Sequence, residues 1–164
     1  MLLYIILGIL IVFVGLSFTK FEIKEKVEIN APIEKVWSAI IDFKYYHRWN
    51  TQLEYLGGEV KPNGQLNLRL SAEGTAPYTF NPTISHWKEN EKFAWISRTG
   101  FPRVFDGEHF FELTKTNNNS ILVTNREEYR GVLSLVIKNL PMMKNAPAGF
   151  QKMNRELKNY IENK

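Results

Sequence analysis

The sequence contains no cysteine. Disulfide frameworks, thiolate nucleophiles, cysteine-based zinc or iron–sulfur sites and acylation of an N-terminal cysteine are thereby excluded. Histidine is nearly as scarce. Three in 164 residues make a His-rich metal site improbable, so no metal and no cofactor is expected. Charge of one sign is also lacking. Lys plus Arg is 21 and Asp plus Glu is 17, a formal net charge of +4, too mild to indicate a nucleic-acid partner. From residue 19 onward there is no low-complexity linker, repeat or long charge block. The nucleophile pattern Gly-x-Ser-x-Gly does not occur. Aromatic side chains are abundant instead: four Trp, seven Tyr and eleven Phe. They fill cores, and in excess they line pockets for apolar ligands. The length suits one domain of ordinary size with an appendage.

The appendage is the start of the chain. Residues 2–18 read LLYIILGILIVFVGLSF, without a charged side chain, and the first charge is Lys20. At about 1.5 Å per residue, 17 to 19 residues reach about 26–28 Å, close to a ~30 Å hydrocarbon core. A cleaved signal peptide would show a basic start, a shorter apolar run and a small-x-small cleavage site, whereas nothing basic follows Met1 and the run ends Gly-Leu-Ser-Phe-Thr-Lys. A buried core helix would show a polar face, and this run has none. Residues 1–19 are therefore expected to be a retained transmembrane anchor, with residues 20–164 as the domain it carries. Lys20, Lys24 and Lys26 follow the span and no Lys or Arg precedes it. The positive-inside rule then places the C-terminal domain in the cytoplasm.

Phe21 to Ile29 alternates apolar and charged residues, the pattern of a half-buried strand. Asn30-Ala31-Pro32 reads as a helix start, with Asn as cap and Pro in the first turn. Ile33, Val36, Trp37 and Ile40 then follow helical spacing. Gly57-Gly58 and Pro62-Asn63-Gly64 signal turns. Further strands are expected around Leu66–Leu70, over Tyr78–Trp87 and Lys92–Arg98, and over Val104–Thr116 and Ser120–Tyr129. The last two flank a turn at Asn117–Asn119. Phe150, Met153, Leu157, Tyr160 and Ile161 mark one face of a helix from about Ala148 to Glu162, with Asn145 or Ala146 before Pro147 as its start. The expected class is α+β. A curved antiparallel sheet of about six or seven strands is covered on one face by the C-terminal helix, with a short helix after the first strand.

Val27-Glu28-Ile29-Asn30-Ala31-Pro32, followed by Val36-Trp37, Asp42 and Trp49-Asn50, resembles the opening of SRPBCC proteins, the START-like superfamily with the helix-grip fold. Gly107-Glu108-His109-Phe110-Phe111, with Glu127-Glu128-Tyr129-Arg130-Gly131, looks like that family's last hairpin, and Phe150 to Asn159 is similar to its closing helix. The match covers about residues 21 to 162. The resemblance implies a sheet wrapped around a long helix with a cavity between them. It also implies binding of lipids, polyketides or other apolar molecules in some members, and cyclase or hydrolase activity in others. One fold hosts many functions, so the resemblance does not choose among these.

A three-residue loop at Asn117–Asn119 pairs residues whose numbers sum to 236. His109 then lies opposite Glu127, and Phe105, Gly107, His109, Phe111 and Leu113 share the concave face with Val123, Glu127 and Tyr129. A carboxylate holding an imidazole is a general base, a polar anchor in an apolar pocket, or simply a satisfied structural pair. Trp49, Tyr78, Phe80, Trp87 and Trp95 are further candidates for the cavity wall, whereas Trp37 belongs to helix packing. His47-Arg48 and His86 have no readable partner and are assigned to the surface. Asp106 and Glu108 point away from His109 in a strand, which argues against a metal there. Lys138, Lys144, Lys152, Arg155 and Lys158 form either an anionic-lipid contact or an ordinary solvated face. Three readings stay open. The first is a membrane-anchored domain binding a small apolar or lipid-like ligand near Trp49, Tyr78, Phe80, Trp95, Phe105, His109, Phe111 and Tyr129. The second is a cyclase, dehydratase or hydrolase using His109 and Glu127. The third is an interaction protein whose cavity is filled by its own aromatics.

Overall fold

The computed structural model describes residues 1–116 and 120–163, and of Leu2, Ile9, Leu10 and Val12 only the backbone. The expected turn at Asn117–Asn119 lies outside the described residues. Helix α1 (Leu2–Ser17) leads into strand β1 (Lys20–Ile29), helix α2 (Ile33–Ile41) and a 3-10 turn over Phe43–Arg48. Strands β2 (Leu53–Gly58), β3 (Leu66–Leu70), β4 (Tyr78–Phe80), β5 (Thr83–Lys88), β6 (Lys92–Thr99), β7 (Phe105–Lys115) and β8 (Ile121–Arg130) follow. Short helix α3 (Ser134–Ile137) and long helix α4 (Pro141–Glu162) close the chain.

The strands form two antiparallel sheets, a five-stranded one ordered β1-β8-β7-β6-β5 and a three-stranded one ordered β2-β3-β4. This corrects the expected single sheet of six or seven strands. Tyr78–Trp87 was expected as one strand. It breaks at Asn81-Pro82, where Pro82 has no N–H to donate to a ladder. Gly57-Gly58, expected as a turn, instead ends β2 beside a register shift against β3. The two sheets touch through the Gln65–Thr83 bridge.

Helix α2 buries Ile33, Val36, Trp37 and Ile40, the stripe its spacing predicts. Asn30 does not cap it; Pro32 stands at the N-cap, and the Asn30 N–H instead donates to Glu162 Oε1 at 2.7 Å. Helix α4 begins at Pro141, about two turns ahead of its expected start, and Pro147 lies within it. A leading proline fits the first helical position, and tertiary packing of the apolar face carries the helix through Pro147. Phe150, Met153, Asn154, Leu157 and Ile161 are buried against the five-stranded sheet.

The outer face of that sheet would expose Phe110. The Arg126 guanidinium lies 3.9 Å and the Lys92 ammonium 4.7 Å from its ring centroid, and Phe110 is buried. Arg126 in turn donates to Glu112 (2.9 Å) and Glu128 (2.5 Å), and Arg130 donates to Glu128 (2.5 Å). His86 joins this face 3.4 Å from Glu108.

Helix α1 is apolar and helical, as its composition predicts. Its 16 residues extend about 24 Å at 1.5 Å per residue. No helix among the described residues is long and apolar enough to cross a membrane, so the expected transmembrane span finds no support in the helix lengths. Leu3, Tyr4, Ile5, Ile6, Leu7, Ile11, Phe13 and Val14 are exposed, so α1 has little of the protein packed on it.

Candidate functional site

Strands β7 and β8 pair with His109 opposite Glu127, Phe111 opposite Asn125 and Leu113 opposite Val123, the register summing to 236. This pairing brings an imidazole and a carboxylate to the face that α4 covers. His109 Nδ1 lies 3.6 Å from Glu127 Oε2, an ion-pair separation and longer than a hydrogen bond. Gly107 makes room for the carboxylate. A Cβ there would stand 2.9 Å from Glu127 Oε1 and 3.4 Å from Tyr129 Cε1.

His109 is packed between two rings. Trp95, its neighbour on β6, stacks at 4.5 Å between centroids with an interplanar angle of 3°. Phe150 from α4 covers the imidazole at 5.1 Å and 25°. Its Nε2 is buried and has no hydrogen-bond partner in the protein. Tyr129 stacks on Phe105 (5.6 Å) and Phe21 (4.7 Å) and joins Ile23 and Phe150 in a small apolar cluster with Met143 and Ala146. Burial holds the Tyr129 phenol well above its ordinary pKa, and the charge of Glu127 and a hydrogen bond to it add to the effect. Tyr78 is half-exposed; burial of its phenol, then Glu127, moves its pKa the same way. Two neutral phenols and an imidazole therefore surround one carboxylate.

Of the predicted wall residues, Tyr78, Trp95, Phe105, His109, Phe111 and Tyr129 gather around this pole. Phe80 lies beside Tyr78 at 5.8 Å. Trp49 is elsewhere: it is buried against Tyr46 at 4.7 Å. It lines a cleft of about 410 Å³ between α2 and α4, with Lys35, Asp42 and Tyr160. A second cleft of about 380 Å³ lies over α2 beside Trp87 and Val60. His109, Trp95 and Tyr129 line neither of these clefts; all three are buried, with Phe150 and Phe111 packed on the imidazole. Trp87 packs edge-on against Trp37 and Phe93. His47 bonds Lys44 O and is exposed. Among the described residues, no group of three or more His, Asp or Glu is placed to hold a metal ion.

Sequence reasoning missed the buried amides. Asn125 Nδ2 donates to Asn154 Oδ1 at 3.0 Å, tying β8 to α4, and both side chains are buried. Asn125 Oδ1, Asn154 Nδ2 and Gln52 Oε1 are buried without a partner, as His109 Nε2 is. A Cβ on Gly149 would lie 3.0 Å from Gln52 Nε2, so this amide also abuts α4. The signal was available for Asn125 alone. The register that sets it opposite Phe111 puts it on the inner face.

A family model described as polyketide cyclase / dehydrase and lipid transport matches residues 20–162. Among curated proteins no sequence relative is found. Protein CV1439 from Chromobacterium violaceum is similar in fold: TM-score 0.66, 16% identity, covering 86% of this chain and 96% of that one. Norcoclaurine synthase from Thalictrum flavum, in complex with dopamine and hydroxybenzaldehyde, gives TM-score 0.66, 13% identity and coverage of 90% and 89%. The di-domain ARO/CYC protein StfQ from the steffimycin biosynthetic pathway gives TM-score 0.66, 10% identity and coverage of 88% and 51%. At these identities the three structures show a shared fold and nothing finer. The antiparallel sheet gripping α4 and the family match over residues 20–162 lead to one conclusion: this chain belongs to the polyketide cyclase / dehydrase and lipid transport family.

Proposed function

We propose that the chain is a membrane-tethered module holding an apolar, lipid-like or polyketide-like ligand between the five-stranded sheet and α4, with the ligand's polar group on the His109–Glu127 pole. The observation that supports this best is the set of buried polar atoms without a protein partner along that seam: His109 Nε2, Asn125 Oδ1, Asn154 Nδ2 and Gln52 Oε1. Folded interiors leave few polar atoms unpaired, and each such atom calls for a partner. Four of them inside an aromatic wall match a ligand that is apolar over its body and carries a hydroxyl or carbonyl. A ligand burying about 300 Å² of apolar area has several kcal/mol available before ordering costs, at roughly 25 cal/mol per Å². Entry requires Phe150 to leave the imidazole. Pro147, one turn earlier in α4, removes a backbone hydrogen bond just where that movement is needed.

The tether in this reading is residues 1–19, with residues 20–164 as the ligand domain. Helix α1 falls about 6 Å short of a typical hydrocarbon core, a mismatch that local thinning of the bilayer and snorkelling of Lys20 accommodate. Lys20, Lys24 and Lys26 set the domain on the cytoplasmic side. The test is native mass spectrometry of the full chain released from lipid nanodiscs. A co-purified small apolar molecule is expected on the wild type and is depleted in Glu127→Ala. Bare protein in every preparation, together with no saturable uptake of 2-naphthol, would overturn the proposal.

A second reading draws on one observation, the two neutral phenols at the carboxylate beside His109. Such a cluster suits general acid–base work in a cyclase, dehydratase or hydrolase. Conversion of the co-purified molecule that stops in His109→Phe, while its binding persists, would favour this enzyme reading.

A further inference from the structure

Three segments meet where α1 joins the domain. The Thr19 hydroxyl donates to Gly131 O (2.8 Å) and shares a hydrogen bond with Ser134 Oγ (2.7 Å). The Val132 N–H donates to Arg103 O and the Leu133 N–H to Val104 O, both at 3.0 Å. The Arg103 guanidinium lies 5.4 Å from the Phe18 ring centroid. Gly131, at φ +119°, permits this junction, because a Cβ there would stand 2.5 Å from Arg103 O. The base of α1, the 100–104 loop and the 131–142 segment thus form one end of the molecule.

That end is apolar and exposed. Phe101 is 81% and Val136 65% exposed, and Leu133, Leu135, Leu140 and Met142 are exposed beside them. Contiguous apolar surface of this kind marks an interaction site. Its electrostatics are one-sided. Residues 1–21, 92–105 and 131–155 contain no Asp or Glu, while Lys20, Arg98, Arg103, Lys138 and Lys144 lie within them. Of the carboxylates on adjoining strands, that of Asp106 is buried and accepts from the Arg103 N–H, and those of Glu22, Glu108 and Glu128 are engaged by Arg126 and Arg130. A second copy would bring like charges together on this face, whereas an anionic lipid surface complements both the cations and the apolar side chains.

We infer that this end of the domain is a second membrane contact: Phe101 and the Leu133–Met142 segment dip into the interface of an anionic bilayer beside α1, with Arg103, Lys138 and Lys144 on lipid phosphates. The inference rests on the tether reading and adds a docked orientation to it. Met143 and Ala146, which pack on the Tyr129–Phe150 cluster, directly follow the inserted segment. The seam over His109 then opens towards the bilayer, where an apolar ligand is concentrated.

The absence of cysteine makes the test direct. Single variants Val14→Cys, Phe101→Cys, Val136→Cys and Glu89→Cys of the full chain are labelled with an environment-sensitive fluorophore. They are reconstituted in phosphatidylglycerol–phosphatidylcholine vesicles carrying lipids with shallow spin-label quenchers. Glu89 lies in the β5–β6 turn, at the far end of β6 from Phe101. Probes at 14, 101 and 136 should be quenched and the probe at 89 should not. Replacing phosphatidylglycerol by phosphatidylcholine, or combining Lys138→Glu with Lys144→Glu, should weaken quenching at 101 and 136 about twofold. Quenching at 14 without quenching at 101 and 136 overturns the docked orientation and leaves the tether standing. No quenching at 14 refutes the tether, and the probes at 101 and 136 then decide the contact by themselves. Disulfide-linked dimers through residue 101, unquenched by lipid, would assign the face to a second copy and overturn the inference.

Discussion

Gly107 and Glu127 show how one missing side chain sets a site. The Cβ of Gly107→Ala would meet the mobile end of Glu127 at 2.9 Å, so the carboxylate moves and the backbone does not. The variant should lose less than about 1 kcal/mol of stability yet shift the His109 imidazole resonance; an unchanged resonance would place Glu127 elsewhere. Glu127→Ala leaves His109 without its carboxylate and should destabilise the fold or its ligand complex by about 1–3 kcal/mol. Neutrality in both would show a merely exposed pair. The phenols make a separate prediction. Burial, then Asp42, raises the Tyr46 pKa, and burial, then Glu127, raises that of Tyr129. Unfolded phenols ionise near about pH 10. The stabilising contribution of both groups is therefore complete below about pH 10 and is lost as pH rises toward the folded values. The slope is about 1.4 kcal/mol per pH unit for each group. Denaturant titrations at about pH 9 and about pH 11 should show this fall, and Tyr129→Phe should remove its share; an unchanged slope in that variant would contradict the assignment.

At the scale of elements, α4 and the outer charged layer hold opposite faces of the same sheet. Arg126 covers Phe110 and joins Glu112 to Glu128, so Arg126→Ala uncovers a ring and leaves two carboxylates adjacent. We expect a loss of about 1–3 kcal/mol, reduced from the fully buried case because both carboxylates keep some solvent. The hydrogen bond from Arg126 holds the Glu112 carboxyl below the usual range, and Arg130 and Arg126 outweigh burial to do the same for Glu128. Their contribution is present at neutral pH and disappears as pH falls through the lowered values, so the Arg126→Ala deficit should shrink in acid. Phe111 is fully buried, and this decides what Phe111→Trp does. It overpacks the core, at about 1–3 kcal/mol, and does not simply plug a cavity. Elements with strong local periodicity were legible in the sequence: β1, the α2 stripe, the β7–β8 register and the C-terminal half of α4. The early start of α4 was not, because Pro147 reads locally as a beginning and only packing carries a helix through it. The split into two sheets depends on Pro82 and the Gln65–Thr83 bridge, a contact between distant residues. The buried amides escaped because Asn154 and Gln52 carry no periodic signal, and closure over His109 depends on the placement of Phe150.

The whole molecule combines an exposed apolar helix, an apolar end whose exposed charges are cationic and a polar pole sealed under α4. Each has a separate physical cause, and the proposed function joins them in a domain that exchanges an apolar molecule with a bilayer. The most direct measurement is the ¹⁵N side-chain spectrum of the three histidines of the full chain in detergent micelles, titrated with 2-naphthol and with naphthalene. The account predicts a saturable shift of His109 that is larger for the hydroxyl-bearing probe, with His47 and His86 unmoved and the response lost in Glu127→Ala. A His109 resonance unmoved by either probe, or three histidines shifting together, would contradict a ligand pole beneath α4 and leave a core filled by its own aromatics.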